Sequence, residues 1–205
     1  MNLLLFISIA APLSMVLFVC DGKSRRLILF LLCGILACLF CGELNTILYR
    51  LLPVTKRYFT VNISPLAEDA VKAVPVLLYA FTCAPRRKDL LEGAVAVGVG
   101  FAILENAFVL AESSGSVSLP LALARGFGSG MMHGICTFLL GVGMSFVHTK
   151  RKLFFPGTLA LLSFAAIYHG IYNDLMLSRY QWAGLVLPLL SFVPLMLYMK
   201  KKGLL

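Results

Sequence analysis

Seven long apolar runs limit what this chain can fold into more than any other feature of the sequence. They cover approximately residues 3–20, 27–51, 65–84, 90–111, 120–147, 153–177 and 183–199. About 20 consecutive apolar residues form a helix that crosses the hydrocarbon core of a bilayer, whereas the strands of a membrane barrel are shorter and alternate in polarity. Because backbone polar groups must pair internally in lipid, the runs predict an all-α, polytopic transmembrane bundle with about seven spans.

The composition agrees with an integral membrane protein that forms one domain over residues 1–205. Hydrophobic residues make up 60% of the 205 residues, and charged residues make up only 13%. A soluble domain of this size carries fewer apolar residues. No repeat, linker or low-complexity segment divides the sequence. We therefore expect a single membrane domain with the lipid bilayer as its main partner.

The basic residues predict the orientation of the chain in the membrane. The net charge is +9, and twelve of the 18 Lys and Arg residues form four clusters between or after the apolar runs. These clusters occupy residues 23–26, 86–88, 150–152 and 200–202. They fall on one side if every run crosses the membrane, and the positive-inside rule makes that side cytoplasmic. We expect the N-terminus outside, the C-terminus in the cytoplasm, and contacts with anionic headgroups rather than with nucleic acid.

Ionisable side chains inside the apolar runs mark a candidate functional site. They are Glu43, Glu68, Asp69, Lys72, Glu105, His133 and His169. Such residues are rare within membrane spans, and they usually face the interior of the bundle or a water-filled cavity. With the orientation given above, those of the third to sixth runs can all lie in the outer half of the membrane. They predict one polar site close to the external surface.

The chemistry of these residues suits the hydrolysis of an amide bond. Glu68 and Lys72 are four residues apart and share a helical face, as do His169 and Asn173. A partly buried carboxylate can act as general base on water, and an imidazole can donate a hydrogen bond to the developing oxyanion. The motifs GxSxG and HExxH of common serine and zinc hydrolases do not occur in the sequence.

Two other classes of function use similar residues. A transporter or proton relay needs buried acids and histidines, although it favours internal repeats and ionisable groups spread through the membrane depth. A haem or quinone electron carrier could use His133 and His169 as axial ligands, which leaves the carboxylates without a role. The six cysteines lie in or beside apolar runs, and we interpret them as small packing residues rather than as metal or redox groups.

Four segments of the sequence resemble the PrsW family of intramembrane proteases, relatives of the CAAX-protease and bacteriocin-processing group. Residues 68–72 read EDAVK, similar to the family pattern EExxK, and residues 101–106 read FAILEN, similar to FxxxEN. His133 lies in the following span, and residues 169–173 read HGIYN, similar to the final histidine and asparagine of the family. The resemblance covers about residues 60–175.

The resemblance implies a role for each polar residue of these segments. It implies that the catalytic residues are Glu68, Asp69, Glu105, His133 and His169. It implies that the residues orienting water or substrate are Lys72, Asn106 and Asn173. In this scheme Glu68 activates water, and the two histidines stabilise the oxyanion. Asp69 stands where the family pattern has a second glutamate, and its side chain is one methylene shorter.

The resemblance also implies the substrate and the setting of the reaction. The substrate would be a single-pass membrane protein or a precursor peptide, for example a membrane-bound anti-sigma factor cut on its outer side. The setting would be the bacterial plasma membrane. The implied reaction uses a glutamate and no metal. Two histidines and two glutamates could also bind zinc, so a metalloprotease stays an alternative.

Four further residues have packing or structural interpretations. Glu43 matches no motif, and we expect a structural role for it. We interpret Arg125, near the start of the fifth run, as an anchor at the membrane interface, with neutralisation of the acidic site as the alternative. Gly130 and Gly134 form a GxxxG pair, which lets another helix or a substrate backbone approach closely.

Overall fold

The computed structural model describes residues 2–112, 119–201 and 203, and every regular element within these residues is a helix. The α-helices are α1 (Asn2–Val16), α2 (Gly22–Leu51), α3 (Lys56–Tyr58), α4 (Ser64–Cys83), α5 (Arg87–Glu112), α6 (Leu119–Leu123), α7 (Gly130–Met144), α8 (Arg151–Leu177) and α9 (Gln181–Lys201). Two π-helical segments, Phe59–Ile63 and Ala124–Ser129, lead directly into α4 and α7. The all-α prediction is therefore confirmed.

Five helices of the described part are long and apolar enough to cross a membrane. They are Gly22–Leu51, Arg87–Glu112, Arg125–Met144, Arg151–Leu177 and Gln181–Lys201. The two other predicted spans correspond to α1, an apolar helix of 15 residues, and to α4, which carries Glu68, Asp69 and Lys72 in its first half. The chain is thus a multi-pass membrane protein, as predicted, and its orientation stays a prediction.

The chain between α2 and α4 returns to the bundle as a continuous helical path. Thr55 caps α3, because its hydroxyl accepts a hydrogen bond of 3.3 Å from the backbone N–H of Tyr58. The π-helical segment Phe59–Ile63 then runs into Ser64 without a break. Pro65 has no N–H to donate to a preceding carbonyl, which fits a change of helical geometry here. Glu68 therefore lies inside a helical path rather than in an exposed first turn.

Glycines let three helices approach one another closely. A Cβ atom added at Gly34 of α2 would lie 2.9 Å from the backbone nitrogen of Phe101 in α5. A Cβ atom added at Gly98 of α5 would lie 2.7 Å from the carbonyl carbon of His133 in α7. Side chains do not fit at such distances, so glycine sets the spacing of α2, α5 and α7. Phe101 and His133 are brought next to each other by this packing.

Three of the basic clusters lie at the same end of the bundle. Nζ of Lys23 is 2.8 Å from Oε1 of Glu92, so α2 and α5 begin at one end and run parallel. Arg87 and Lys150 line one cavity of about 450 Å³ between the end of α4 and the end of α7. Lys200 and Lys201 of the fourth cluster form the last turn of α9, where Met199 packs in one apolar cluster with Leu91 near the start of α5. This common end is the one that the positive-inside rule assigns to the cytoplasm.

Candidate active site

The polar side chains of α4, α5, α7 and α8 meet inside the bundle. We call this group the polar cluster, and it consists of Glu68, Asp69, Lys72, Glu105, His133 and His169. The imidazole rings of His133 and His169 lie 4.8 Å apart between centroids and are nearly perpendicular. The side chains of Asp69, Lys72 and both histidines are 0% exposed. The structure therefore brings together side chains that are up to 101 residues apart in the sequence.

Lys72 is the central cation of the polar cluster. Its Nζ atom lies 2.6 Å from Oδ1 of Asp69, one helical turn earlier on α4. The same Nζ atom lies 2.7 Å from Nδ1 of His133 on α7. It also lies 4.6 Å from the ring centroid of Phe101, which offers the negative face of its π system. These three neighbours replace the water that a buried ammonium group loses.

The contacts of His133 define which of its nitrogens carries the proton. An ammonium group donates hydrogen bonds and accepts none, so Nδ1 of His133 must accept from Lys72. In the neutral ring Nε2 then carries the proton, and it donates to Oε2 of Glu105 over 3.0 Å. A chain of contacts therefore runs from Asp69 of α4 through Lys72 and His133 to Glu105 of α5.

Among the described residues, Glu105 has two further donors besides His133, and both come from the π-helical segment before α7. The hydroxyl of Ser129 donates to Oε2 of Glu105 over 3.2 Å, and Nη2 of Arg125 lies 3.3 Å from the same oxygen. Asn106 contacts Arg125 rather than the polar cluster, because it accepts from Nε and donates to the backbone carbonyl of that residue. Arg125 thus supplies a positive charge to Glu105, in agreement with the alternative interpretation of this residue.

The two oxygens of Glu68 have different surroundings. Oε1 accepts hydrogen bonds from the hydroxyl of Ser64 and, over 3.1 Å, from Nδ2 of Asn45 on α2. Oε2 lies 3.7 Å from Nε2 of His169, which is too far for a direct hydrogen bond. Among the described residues, neither Oε2 of Glu68 nor either ring nitrogen of His169 has a hydrogen-bond partner. Such buried atoms can bind a water molecule or a polar group of a substrate.

His169 lies beside the second acid of α4, Asp69. Its Nδ1 atom lies 3.6 Å from Oδ2 of Asp69, so the ring directs Nε2 towards Glu68. Asn173, one turn later on α8, lies outside the polar cluster. Its amide donates to the backbone carbonyl of Thr60 over 3.0 Å and holds the π-helical segment Phe59–Ile63 against α8.

Four described residues that contact the two glutamates were not among the predicted catalytic or orienting residues, although neutralisation of the acidic site was the alternative interpretation of one of them, Arg125. They are Asn45, Ser64, Arg125 and Ser129. Ser64 could have been found, because it lies four residues before Glu68 and shares its helical face. Asn45 could not, because the contact joins two helices whose relative rotation is not encoded in a local pattern.

Three residues of the polar cluster form a group that fits a metal ion. Glu68, His133 and His169 each offer one ligand atom, and these atoms lie within 4.8 Å of one another. Two histidines and one glutamate are a common ligand set for catalytic zinc. Asp69 lies behind His169, where the carboxylate that orients a zinc-bound histidine is usually found. His133 would have to exchange one of its present partners, because both of its nitrogens are hydrogen-bonded.

Comparison with known proteins identifies the family. No curated protein and no solved structure matches the chain. A family model described as "PrsW family intramembrane metalloprotease" matches residues 23–199. The matched range contains the whole polar cluster and the helices that carry it, from α2 to α8, with most of α9. The chain therefore belongs to the PrsW family of intramembrane proteases.

Proposed function

We propose that Glu68 is the general base that activates water for the hydrolysis of a peptide bond within the membrane. Family membership makes the chain an intramembrane protease that acts on a membrane-embedded protein, so transport and electron transfer are set aside. The observation that supports the role of Glu68 is the gap of 3.7 Å between its Oε2 and Nε2 of His169. Both atoms are buried and unpartnered among the described residues.

A water molecule in this gap would be oriented for attack. It would donate one proton to Oε2 of Glu68 and the other to Nε2 of His169, which leaves a lone pair for the carbonyl carbon of the substrate. Glu68 takes the proton as the carbon–oxygen bond forms, and it then delivers this proton to the leaving amine as the peptide bond breaks. His133 holds its N–H on Nε2, and the oxyanion would replace Glu105 as the acceptor of that proton.

We propose further that this reaction proceeds without a metal. The residues that would hold zinc are Glu68, His133 and His169, and a bound zinc ion would lower the pKa of water and polarise the carbonyl. The ammonium of Lys72 lies 2.7 Å from His133, and this positive charge opposes a second cation at the same place. Pairing of both nitrogens of His133 also favours the metal-free arrangement.

The role of Glu68 can be tested in liposomes that contain the purified protein and a quenched fluorescent transmembrane peptide. We expect Glu68→Gln to lower kcat by at least about 1000-fold, because removal of the general base leaves water unactivated. Glu43→Gln is the matched control, since Glu43 lies exposed on α2. A strong chelator should leave the wild-type rate unchanged. Near-normal cleavage by Glu68→Gln would refute the assignment, and loss of activity with chelator that zinc restores would make the enzyme zinc-dependent.

The substrate and setting that we propose follow from the same site. We propose that residues 1–205 form one membrane domain in the bacterial plasma membrane, which cuts a single-pass protein or precursor peptide such as an anti-sigma factor near its outer end. The depth of the polar cluster supports this. Asp174 of α8 is about half exposed and pairs with Arg57 at the end of the bundle opposite the basic clusters. His169 lies five residues before Asp174, about 7.5 Å along the helix. Co-expression with doubly tagged single-pass proteins, using wild type against Glu68→Gln, will identify substrates by the size of the fragments.

A further inference from the structure

We infer that Asn45 and Ser64 are positioning residues that fix the carboxylate of Glu68, so that Oε2 rather than Oε1 faces the water. This inference rests on the proposed role of Glu68 as general base. It adds α2, which contributes no residue to the sequence pattern of the family, to the helices that build the active site. The two oxygens of Glu68 differ in their hydrogen-bond partners.

Three polar groups form a closed triangle on one side of Glu68. Nδ2 of Asn45 donates to the hydroxyl oxygen of Ser64 over 2.8 Å and to Oε1 of Glu68 over 3.1 Å. The hydroxyl of Ser64 in turn donates to the same Oε1. Asn45 therefore also orients the hydroxyl of Ser64, and both donors point at one oxygen atom. A carboxylate held by two donors on one oxygen cannot rotate without breaking both hydrogen bonds.

The amide orientation of Asn45 is determined by its neighbours. If the amide were turned over, its Oδ1 atom would face the carboxylate oxygen of Glu68, and two acceptors would lie in contact. Oδ1 itself has no hydrogen-bond partner among the described residues, so no other contact competes for the amide. The Nδ2 atom of Asn45 is thus the donor to Glu68, and its fixed position on α2 sets the direction of the carboxylate.

The two oxygens of Glu68 therefore have different roles: Oε1 holds the carboxylate in place, and Oε2 faces the water. Oε1 is fully occupied by the triangle, and Oε2 is left 3.7 Å from Nε2 of His169. A general base that has lost its orienting donors can rotate away from the attacked water, and small misplacements of reacting groups cost up to about 100-fold in rate. The loss should appear in kcat, since neither Asn45 nor Ser64 is proposed to bind the substrate.

The kinetic test uses the liposome assay with single substitutions. We expect Asn45→Ala and Ser64→Ala each to lower kcat by about 10-fold with KM unchanged, and Ser64→Thr, which keeps the hydroxyl, to retain wild-type kcat. Asn45→Asp, of the same size, should lower kcat at least as far as Asn45→Ala, because an ionised carboxylate donates no hydrogen bond and repels Glu68. The control is Thr46→Ala, because Thr46 is exposed and, among the described residues, its hydroxyl donates to the Gly42 carbonyl of its own helix. Wild-type kcat in Asn45→Ala and Ser64→Ala would overturn the inference.

An infrared measurement tests the hydrogen bonds without using activity. The carboxyl band of Glu68 is the band that disappears in the difference spectrum between wild type and Glu68→Gln. Removal of a donor shifts such a band, so we expect a shift in Asn45→Ala and Ser64→Ala and none in Thr46→Ala. An unshifted band in both variants would also overturn the inference. If Glu68→Gln still cleaves the peptide, the proposed function fails, whereas a shifted band would still establish the two hydrogen bonds.

Discussion

Lys72 has a buried charge, and its contacts explain why the chain tolerates it. The ammonium lies between the carboxylate of Asp69 and the imidazole of His133, with the face of Phe101 below. The cost of removing one ammonium from water is several kcal/mol, and only close partners offset it. The same contacts fix the tautomer of His133. Lys72 therefore affects both stability and the chemistry of the site.

Replacement of Lys72 by methionine tests this double role. Lys72→Met leaves Asp69 as an unpaired buried charge, which should lower the free energy of unfolding by about 3–5 kcal/mol. It also removes the donor to Nδ1 of His133, so kcat should fall. Lys23→Met is the control, because Lys23 is 57% exposed and its pair with Glu92 is worth at most about 1 kcal/mol. Thermal unfolding in detergent will separate the two variants, and equal losses would contradict the role assigned to Lys72.

At the scale of helices, the active site depends on how closely α5 and α7 approach each other. Gly98 lies seven residues before Glu105 on α5, two turns away on nearly the same face. A Cβ atom there would meet the backbone of His133 and would lie 2.8 Å from Oγ1 of Thr137. The GxxxG pair predicted for α7 makes no such close approach within the described residues: a Cβ atom at Gly130 would meet none of their atoms within 4 Å, and one at Gly134 would lie 3.8 Å from Cγ1 of Val95, an ordinary contact.

Alanine substitutions at Gly98 and Gly130 should therefore differ in their effect on stability and on kcat. Gly98→Ala forces the backbones of α5 and α7 apart, and because the carbonyl of His133 cannot move aside, the hydrogen bond between His133 and Glu105 should lengthen. We expect a loss of about 1–3 kcal/mol in stability and a lower kcat. Gly130→Ala should cost little, since none of the described atoms lies within 4 Å of a Cβ atom at this position. Circular dichroism melts and peptide cleavage will measure both, and a tolerated Gly98→Ala would contradict the assigned packing.

The parts of the fold and site that the sequence predicts are those with a local pattern. Apolar length identifies the helices, and intervals of three or four residues place Glu68, Asp69 and Lys72 on one face. Contacts between helices depend on their rotation and spacing, which no interval encodes. Hence the contact of Asn45 with Glu68 was not predicted. Asn173 is a related case, since its position one turn after His169 did not indicate that its amide binds Thr60.

At the scale of the whole molecule, the two ends of the bundle differ in charge and in distance from the site. One end carries the basic clusters, and there Lys23 of α2 pairs with Glu92 of α5. At the other end Arg57 pairs with Asp174 over 2.8 Å, and the polar cluster is nearer to this end. Since Asp69 lies eleven residues before Ala80, the site is about 16 Å along α4 from the cavity between α4 and α7. A substrate cut here would be cut near one membrane surface.

The positive-inside rule predicts that this surface is the external one, and thiol labelling of intact cells can test it. In a variant that keeps only Cys83, which is exposed at the end of α4 on the basic side, a membrane-impermeant maleimide should react only after the cells are opened. In a cysteine-free variant with Asp174→Cys, the same reagent should react with intact cells, because that side chain is about half exposed at the opposite end. The reverse pattern would place the polar cluster near the cytoplasmic surface, and the protease would then cut its substrate on the inner side.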